Sequence, residues 1–176
     1  LGRGCEIVAD LIVNHISSES PQFKDYSSKG ASSRFAGLFL TYDRVFPAGA
    51  REEDLLRIHR PRPGLPFTNI TLRSGDKHLF WTTFTPQQID IDVQHPEGQA
   101  YLQSILGRFR DAGVRMIRLD AVGYAIKKGG TSCFMIPESF QFIAELTAQA
   151  HALGIEVLVE IHSYYKQQIQ IAQQVD

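Results

Sequence analysis

Three times in this chain an apolar run finishes on polar or ionisable residues: Cys5 through Asn14-His15, Val114 through Arg118-Leu119-Asp120, and Ile155 through Glu160-Ile161-His162. Apolar side chains fall on both parities of these runs, the pattern of strands covered on both faces in a parallel sheet. Helical repeats separate them. Pro96-Glu97-Gly98 opens one with Tyr101, Leu102, Ile105, Leu106 and Phe109 on one side, closed by Asp111-Ala112-Gly113. Pro137 opens the next, which carries Phe140, Ile143, Leu146, Thr147, Ala150 and Leu153 and stops at Gly154. Ser163 is placed to cap a last helix with Tyr165, Ile169 and Ala172 on one face. Strands alternating with helices predict an α/β fold with a parallel sheet and right-handed crossovers. On pattern alone, an open doubly wound sheet and part of a (β/α)8 barrel fit equally.

Residues 16–95 break the alternation. They are rich in Ser, Pro, Gly and charge, with short aromatic pieces such as Gly37-Leu38-Phe39-Leu40 and Leu79-Phe80-Trp81-Thr82-Thr83-Phe84. So long a stretch of plain loop is foreign to a compact domain, so a small, loop-rich subdomain with a few short strands is expected. The predicted organisation is a strand in 1–15, an inserted subdomain in 16–95 and β/α units in 96–176. The chain starts at Leu1 beside a strand and stops at Val175-Asp176 just past a helical pattern, so we expect it to be cut from something longer.

Several function classes are disfavoured. No Gly-x-Gly-x-x-Gly follows the first strand and no Gly-Lys-Ser/Thr loop occurs, against a dinucleotide or nucleotide phosphate site. The net charge is −1 across 176 residues, which argues against nucleic acid or an anionic membrane as partner. No apolar run approaches the roughly 20 residues of a membrane span, and no signal peptide is visible. Two distant cysteines, Cys5 and Cys133, make neither a disulfide scaffold nor a four-thiolate metal site, and they suit a reducing cytoplasm.

The chemistry is expected where the strands end, because the carboxyl ends of parallel strands form the ligand face of such folds. Residues two apart in a strand share a side, so Arg118 points with Asp120, and Glu160 with His162. One β/α unit separates Asp120 from Glu160, which puts them on neighbouring strands. Two carboxylates so placed suit glycoside chemistry, one attacking the anomeric carbon and the other protonating the leaving oxygen, with no cofactor or metal. A nearby Arg118 would hold Asp120 ionised. Strand-end carboxylates also cap helices or pair with arginine, so the pair alone does not decide. Asp10, inside the first strand, is expected to be a buried, paired structural carboxylate. Lys127-Lys128 reads as a solvated loop charge. Arg57-Ile58-His59-Arg60-Pro61-Arg62-Pro63-Gly64 reads either as a Pro-stiffened exposed loop or as an anion site. Trp81 and Phe84 fit insertion core and sugar platform equally. His59, His78, His95 and His151 receive no role.

Asp10-Leu11-Ile12-Val13-Asn14-His15, Arg118-Leu119-Asp120-Ala121 and the Glu160 strand resemble three signatures of the α-amylase family of glycoside enzymes. The segments 60–67, 84–92, 118–128, 130–135 and 159–165 narrow the resemblance to the branch that phosphorolyses sucrose. It implies a TIM barrel with a small domain inserted after its third strand, so that the three strands here are the third to fifth. It implies retaining glucosyl transfer from sucrose to inorganic phosphate, giving α-glucose 1-phosphate and fructose through a glucosyl-Asp120 intermediate. Glu160 would then be the acid/base, and Arg118 would orient Asp120. His15, His162, Phe84 and Gln88 would line the sugar site. Arg62 would help receive phosphate or the fructosyl part. Gly123 and Tyr124 stand where many amylases carry Lys-His, which weakens any expectation of a polysaccharide cleft or calcium site. The family's third catalytic carboxylate, on the seventh barrel strand, is expected beyond this sequence. The alternatives are a phosphorylase of phosphorylated sucrose, a sucrose hydrolase or transglucosidase, and a non-catalytic barrel piece.

Overall fold

A computed structural model describes residues 4, 6–161 and 165–173; Cys5, His162 and Ser163 lie outside the described residues. The order is β1 (Val8–Ile12), β2 (His15–Ser17), α1 (Pro21–Lys29), α2 (Tyr42–Val45), α3 (Glu52–Arg57), β3 (Phe67–Thr71), β4 (Lys77–Trp81), β5 (Gln88–Asp90), α4 (Pro96–Asp111), β6 (Met116–Asp120), α5 (Pro137–Ala152), β7 (Glu156–Val159) and α6 (Tyr165–Ala172). The strands β1, β6 and β7 form a parallel sheet in that spatial order, a mixed α/β architecture as the alternation predicts.

The two long helices form for legible reasons. His95 caps α4 by accepting the Glu97 N–H on its ring Nδ1, and Pro96 occupies the first turn, where no N–H is needed. Leu102 and Leu106 then share the buried face. α5 starts on Pro137, buries Ile143, Leu146 and Ala150, and gives way to Gly154 at φ +72°. Those residues join Leu11, Ile117 and Leu119 in one apolar cluster.

Two expectations fail here. The first run is not one strand. β1 ends at Ile12, Val13 and Asn14 turn inward, and the chain resumes as β2, antiparallel to β5. The Asn14 carbonyl accepts from the Ile91 N–H and its side chain is wholly buried, so the bend is fixed by polar bonds that apolar periodicity does not record. Nor is the sheet covered on both faces. Leu11, Ile117 and Leu119 are buried, but the opposite parity carries Val8, Ile12 and Leu158 at 54%, 42% and 51% exposure. That face is the one bearing Asp10, Arg118 and Asp120.

Residues 16–95 are more regular than expected, with three helices and a β3/β4 hairpin. The Ser20 hydroxyl caps α1 by accepting the Phe23 N–H, and Pro21 begins it. Only Phe23 and Tyr26 of α1 are buried, too few for a readable helical period. They pack edge-on and stacked against Phe39 and Phe80, within the same cluster as Leu11 and Ile117. Leu40, Phe46, Ile58, Trp81 and Cys133 form a second cluster, so Trp81 is core. Among the described residues, no helix is long and apolar enough to cross a membrane.

Candidate active site

The register of the parallel sheet assembles the charged residues. Asp10 lies beside Arg118 and Ile12 beside Asp120, while Leu119 pairs with Val159, one residue before Glu160. The Glu160 N–H donates to the Leu119 carbonyl at 3.2 Å, carrying the ladder one residue beyond β7. Asp10, Arg118 and Asp120 therefore share the open face, and Glu160 joins them from the neighbouring strand.

Arg118 is the hub. Its Nε donates to Asp10 Oδ1 at 2.7 Å, and one terminal nitrogen reaches Asp10 Oδ2 at 3.4 Å. The other terminal nitrogen is 2.7 Å from Glu160 Oε2, while the nitrogen that reaches Asp10 stands 3.6 Å from Asp120 Oδ1. A planar guanidinium presents five N–H donors in a fixed fork, which is what allows one cation to hold three carboxylates. The hydrogen bond from Arg118 holds the Asp10 carboxyl below the ordinary carboxylate range, and Asp10 in turn raises Arg118. Asp10 is thus paired, as expected, but it is exposed rather than buried. The two shortest contacts of Arg118 go to Asp10 and Glu160, leaving Asp120 the carboxylate least engaged by it.

His15, Phe84 and Gln88 come together next to this cluster. The His15 ring packs tilted on Phe84, with centroids 5.2 Å apart, and its Nε2 lies 2.9 Å from the Gln88 terminal amide. Burial pushes the His15 imidazole below the usual histidine value, and the charges of Asp90 and Asp120 oppose that. Phe84 continues edge-on to Tyr124 at 5.3 Å. It also lines a cleft of about 320 Å³ together with Arg60, Arg62 and Thr83, so the cationic loop and the aromatic site share one opening. Arg62 is exposed and Arg60 donates to the Gly64 carbonyl at 3.1 Å. His162 lies outside the described residues.

Lys127 is not a solvated loop charge. Its Nζ sits 2.6 Å from Asp90 Oδ2, and the two side chains are 1% and 0% exposed. A buried carboxylate at the end of β5 has drawn the lysine inward, because an unpaired buried charge is far costlier than a paired one. Lys128, by contrast, stays outside with Glu138. His59, given no role by sequence, stacks on Phe134 at 4.3 Å and borders the groove formed by Arg57, Arg60 and Arg62. The residues that sequence reasoning missed at the site are Asn14, Asp90, Tyr124 and Lys127. Asn14 and Asp90 each sit one or two positions from a residue singled out, and a buried polar run at a strand end was the available signal. Among the described residues, no three His, Cys, Asp or Glu side chains are arranged to hold a metal ion.

No family model matches the chain. A sucrose phosphorylase from Agrobacterium vitis is 56% identical over all 176 residues, which cover 36% of that protein. One from Bifidobacterium adolescentis is 50% identical over the same span, 35% of its length. The crystal structure of sucrose 6F-phosphate phosphorylase from Thermoanaerobacter thermosaccharolyticum superposes with a TM-score of 0.89 at 36% identity, over 97% of this chain and 36% of that one. The chain spans about a third of the length of these relatives.

Proposed function

Because the chain is related over its whole length to sucrose phosphorylases, we propose that the protein carrying it transfers a glucosyl group from sucrose to inorganic phosphate with retention. The observation that carries this reading is the Arg118 cluster. One guanidinium gathers Asp120 and Glu160 at the carboxyl ends of adjacent parallel strands, where two-carboxylate glycoside chemistry takes place.

Asp120 is the nucleophile of this transfer. Arg118 stands 3.6 Å from one of its oxygens, which leaves an oxygen lone pair for the anomeric carbon. Glu160 protonates the departing fructosyl oxygen and later takes the proton of the incoming phosphate. His15, Phe84 and Gln88 line the glucosyl site, with the Phe84 ring as an apolar platform. Arg62 serves the acceptor. Bulk water is present at about 55 M, so phosphate prevails only where the site concentrates and orients it, and an arginine fork in the cleft that Phe84 also lines does both. The strands β1, β6 and β7 are the third to fifth of a (β/α)8 barrel, with residues 16–95 inserted after the third.

The full-length protein given sucrose and phosphate should release α-glucose 1-phosphate and fructose in equal amounts. Free glucose as sole product would make it a hydrolase, and no turnover would make the chain part of a non-catalytic protein. A second reading has support in His59 beside Arg57, Arg60 and Arg62 around one groove and in the likeness to a sucrose 6F-phosphate phosphorylase. There the substrate is sucrose phosphorylated on fructose, and comparison of kcat/KM for sucrose and its 6F-phosphate separates the two.

A further inference from the structure

Behind the His15 ring lies a buried ion pair that the proposed reaction does not use. Asp90, wholly buried, receives the Thr83 backbone N–H at 3.0 Å and the Thr83 hydroxyl at 2.5 Å, besides the Lys127 ammonium. The same ammonium donates to Asn14 Oδ1 at 2.6 Å and to the Tyr124 carbonyl. Asn14 Nδ2 faces His15 Nδ1 at 3.4 Å. As placed, Gln88 Nε2 stands 2.9 Å from His15 Nε2, and Gln88 Oε1 accepts from Thr85 Oγ1 at 3.0 Å.

Counting donors fixes the direction of this chain of contacts. An ammonium has three donors and no acceptor. Asn14 must therefore turn its oxygen to Lys127 and its NH2 to His15. His15 Nδ1 is then an acceptor, and a neutral imidazole with a bare Nδ1 carries its proton on Nε2. That Nε2–H needs an oxygen. The two ends of a glutamine amide have nearly the same shape, so the network decides which faces where: the Gln88 amide is flipped, its oxygen accepting the hydrogen bond from the imidazole Nε2–H and its NH2 donating to the Thr85 hydroxyl, which can accept. The opposite tautomer would point an Nδ1–H at the Asn14 NH2, and flipping Asn14 to relieve this would point an NH2 at an ammonium.

We propose that Lys127 is a positioning residue: clamped by Asp90, it sets the direction of a relay running Lys127 to Asn14 to His15 to Gln88 to Thr85, and so decides which nitrogen of His15 is protonated. The burial that lowers the pKa of His15 acts in the same sense, by keeping the ring neutral, with Lys127 adding to it and Asp90 and Asp120 opposing. The relay stands on geometry alone. Only its kinetic consequence rests on His15 belonging to the sugar site.

The test is long-range 1H–15N NMR of 15N-histidine in the full-length protein, with the His15 signal assigned by its loss in His15→Gln. The expected form is Nε2–H; an Nδ1–H tautomer would overturn the proposal. Lys127→Met/Asp90→Asn removes both buried charges together and should let an Nδ1–H population appear. Asn14→Leu cuts the relay but leaves the ion pair, and gives the same readout if the double variant does not fold. A pure Nε2–H signal in the folded variants would also overturn the proposal. With the tautomer released, kcat/KM for sucrose should fall roughly 10- to 100-fold. A tautomer that responds as expected in a protein that never cleaves sucrose would uphold the relay and discard the sugar-site reading instead.

Discussion

Asp120 and Glu160 both belong to the Arg118 cluster, yet they are held differently, and the difference predicts different failures. Glu160 is paired at 2.7 Å and Asp120 stands at 3.6 Å. In the full-length protein, Glu160→Gln should cost roughly 10²- to 10⁴-fold on sucrose, whose fructosyl leaving group needs a proton. An activated aryl glucoside should lose far less, and equal losses on both substrates would make Glu160 a positioning residue. His15 carries a prediction of its own. Its folded pKa lies below the ordinary value of about 6.5 because it is buried. The unfolded chain therefore binds the proton first as pH falls, and the stability contribution present at neutral pH is lost from about 6.5 down through the folded pKa. Between about pH 8 and pH 5 the wild type should lose more Tm than His15→Gln; equal losses would refute it. At this scale the strand-end residues His15, Arg118, Asp120 and Glu160 were legible, because strand alternation and strand-end placement are local rules. Asn14, Asp90 and Lys127 were not, because the pairing of a loop lysine with a carboxylate on β5 is a long-range event with no periodic trace.

The elements show the same division. Boundaries of α4 and α5 were readable from Pro96, Pro137 and Gly154, since capping chemistry is written in single residues. The break between β1 and β2 was not, because Val13 continues the apolar run while its backbone leaves the sheet. The short helices of 16–95 were hidden because each buries too few side chains to show a period. One glycine marks where an element is forced close to its neighbour. A Cβ on Gly98, in the first turn of α4, would stand 1.9 Å from the Asp92 carbonyl oxygen, a backbone atom that cannot swing aside. Gly98→Ala should destabilise the protein by about 1–3 kcal/mol or more, read as a lower urea midpoint at unchanged slope. A midpoint within error of wild type would show that α4 is free to shift.

Across the whole molecule, the packed and open faces of the sheet divide structure from chemistry. Leu11, Ile117 and Leu119 bind the sheet to the helices, and the other face combines exposed Val8, Ile12 and Leu158 with the Arg118 cluster. Exposed apolar side chains on a parallel sheet seek a cover, and among the described residues β1 and β7 are the outer strands of the three-strand order, each with an unpaired edge. The 176-residue polypeptide made on its own should therefore self-associate and lack turnover; a monomeric 1–176 with robust phosphorolysis would contradict this. The parallel order was legible from alternation, but the open face was not, since an apolar parity reads as buried whether or not its partner is present. Asp120 as the covalent centre is the point on which the proposed glucosyl transfer rests. Full-length protein should be quenched during turnover of sucrose without phosphate, digested, and its peptides weighed. One added anhydroglucose is expected on the peptide carrying Asp120, lost on adding phosphate and absent in Asp120→Asn, whose kcat falls roughly 10⁴-fold or more. Near-normal turnover in that variant, or the adduct on any other residue, would contradict it.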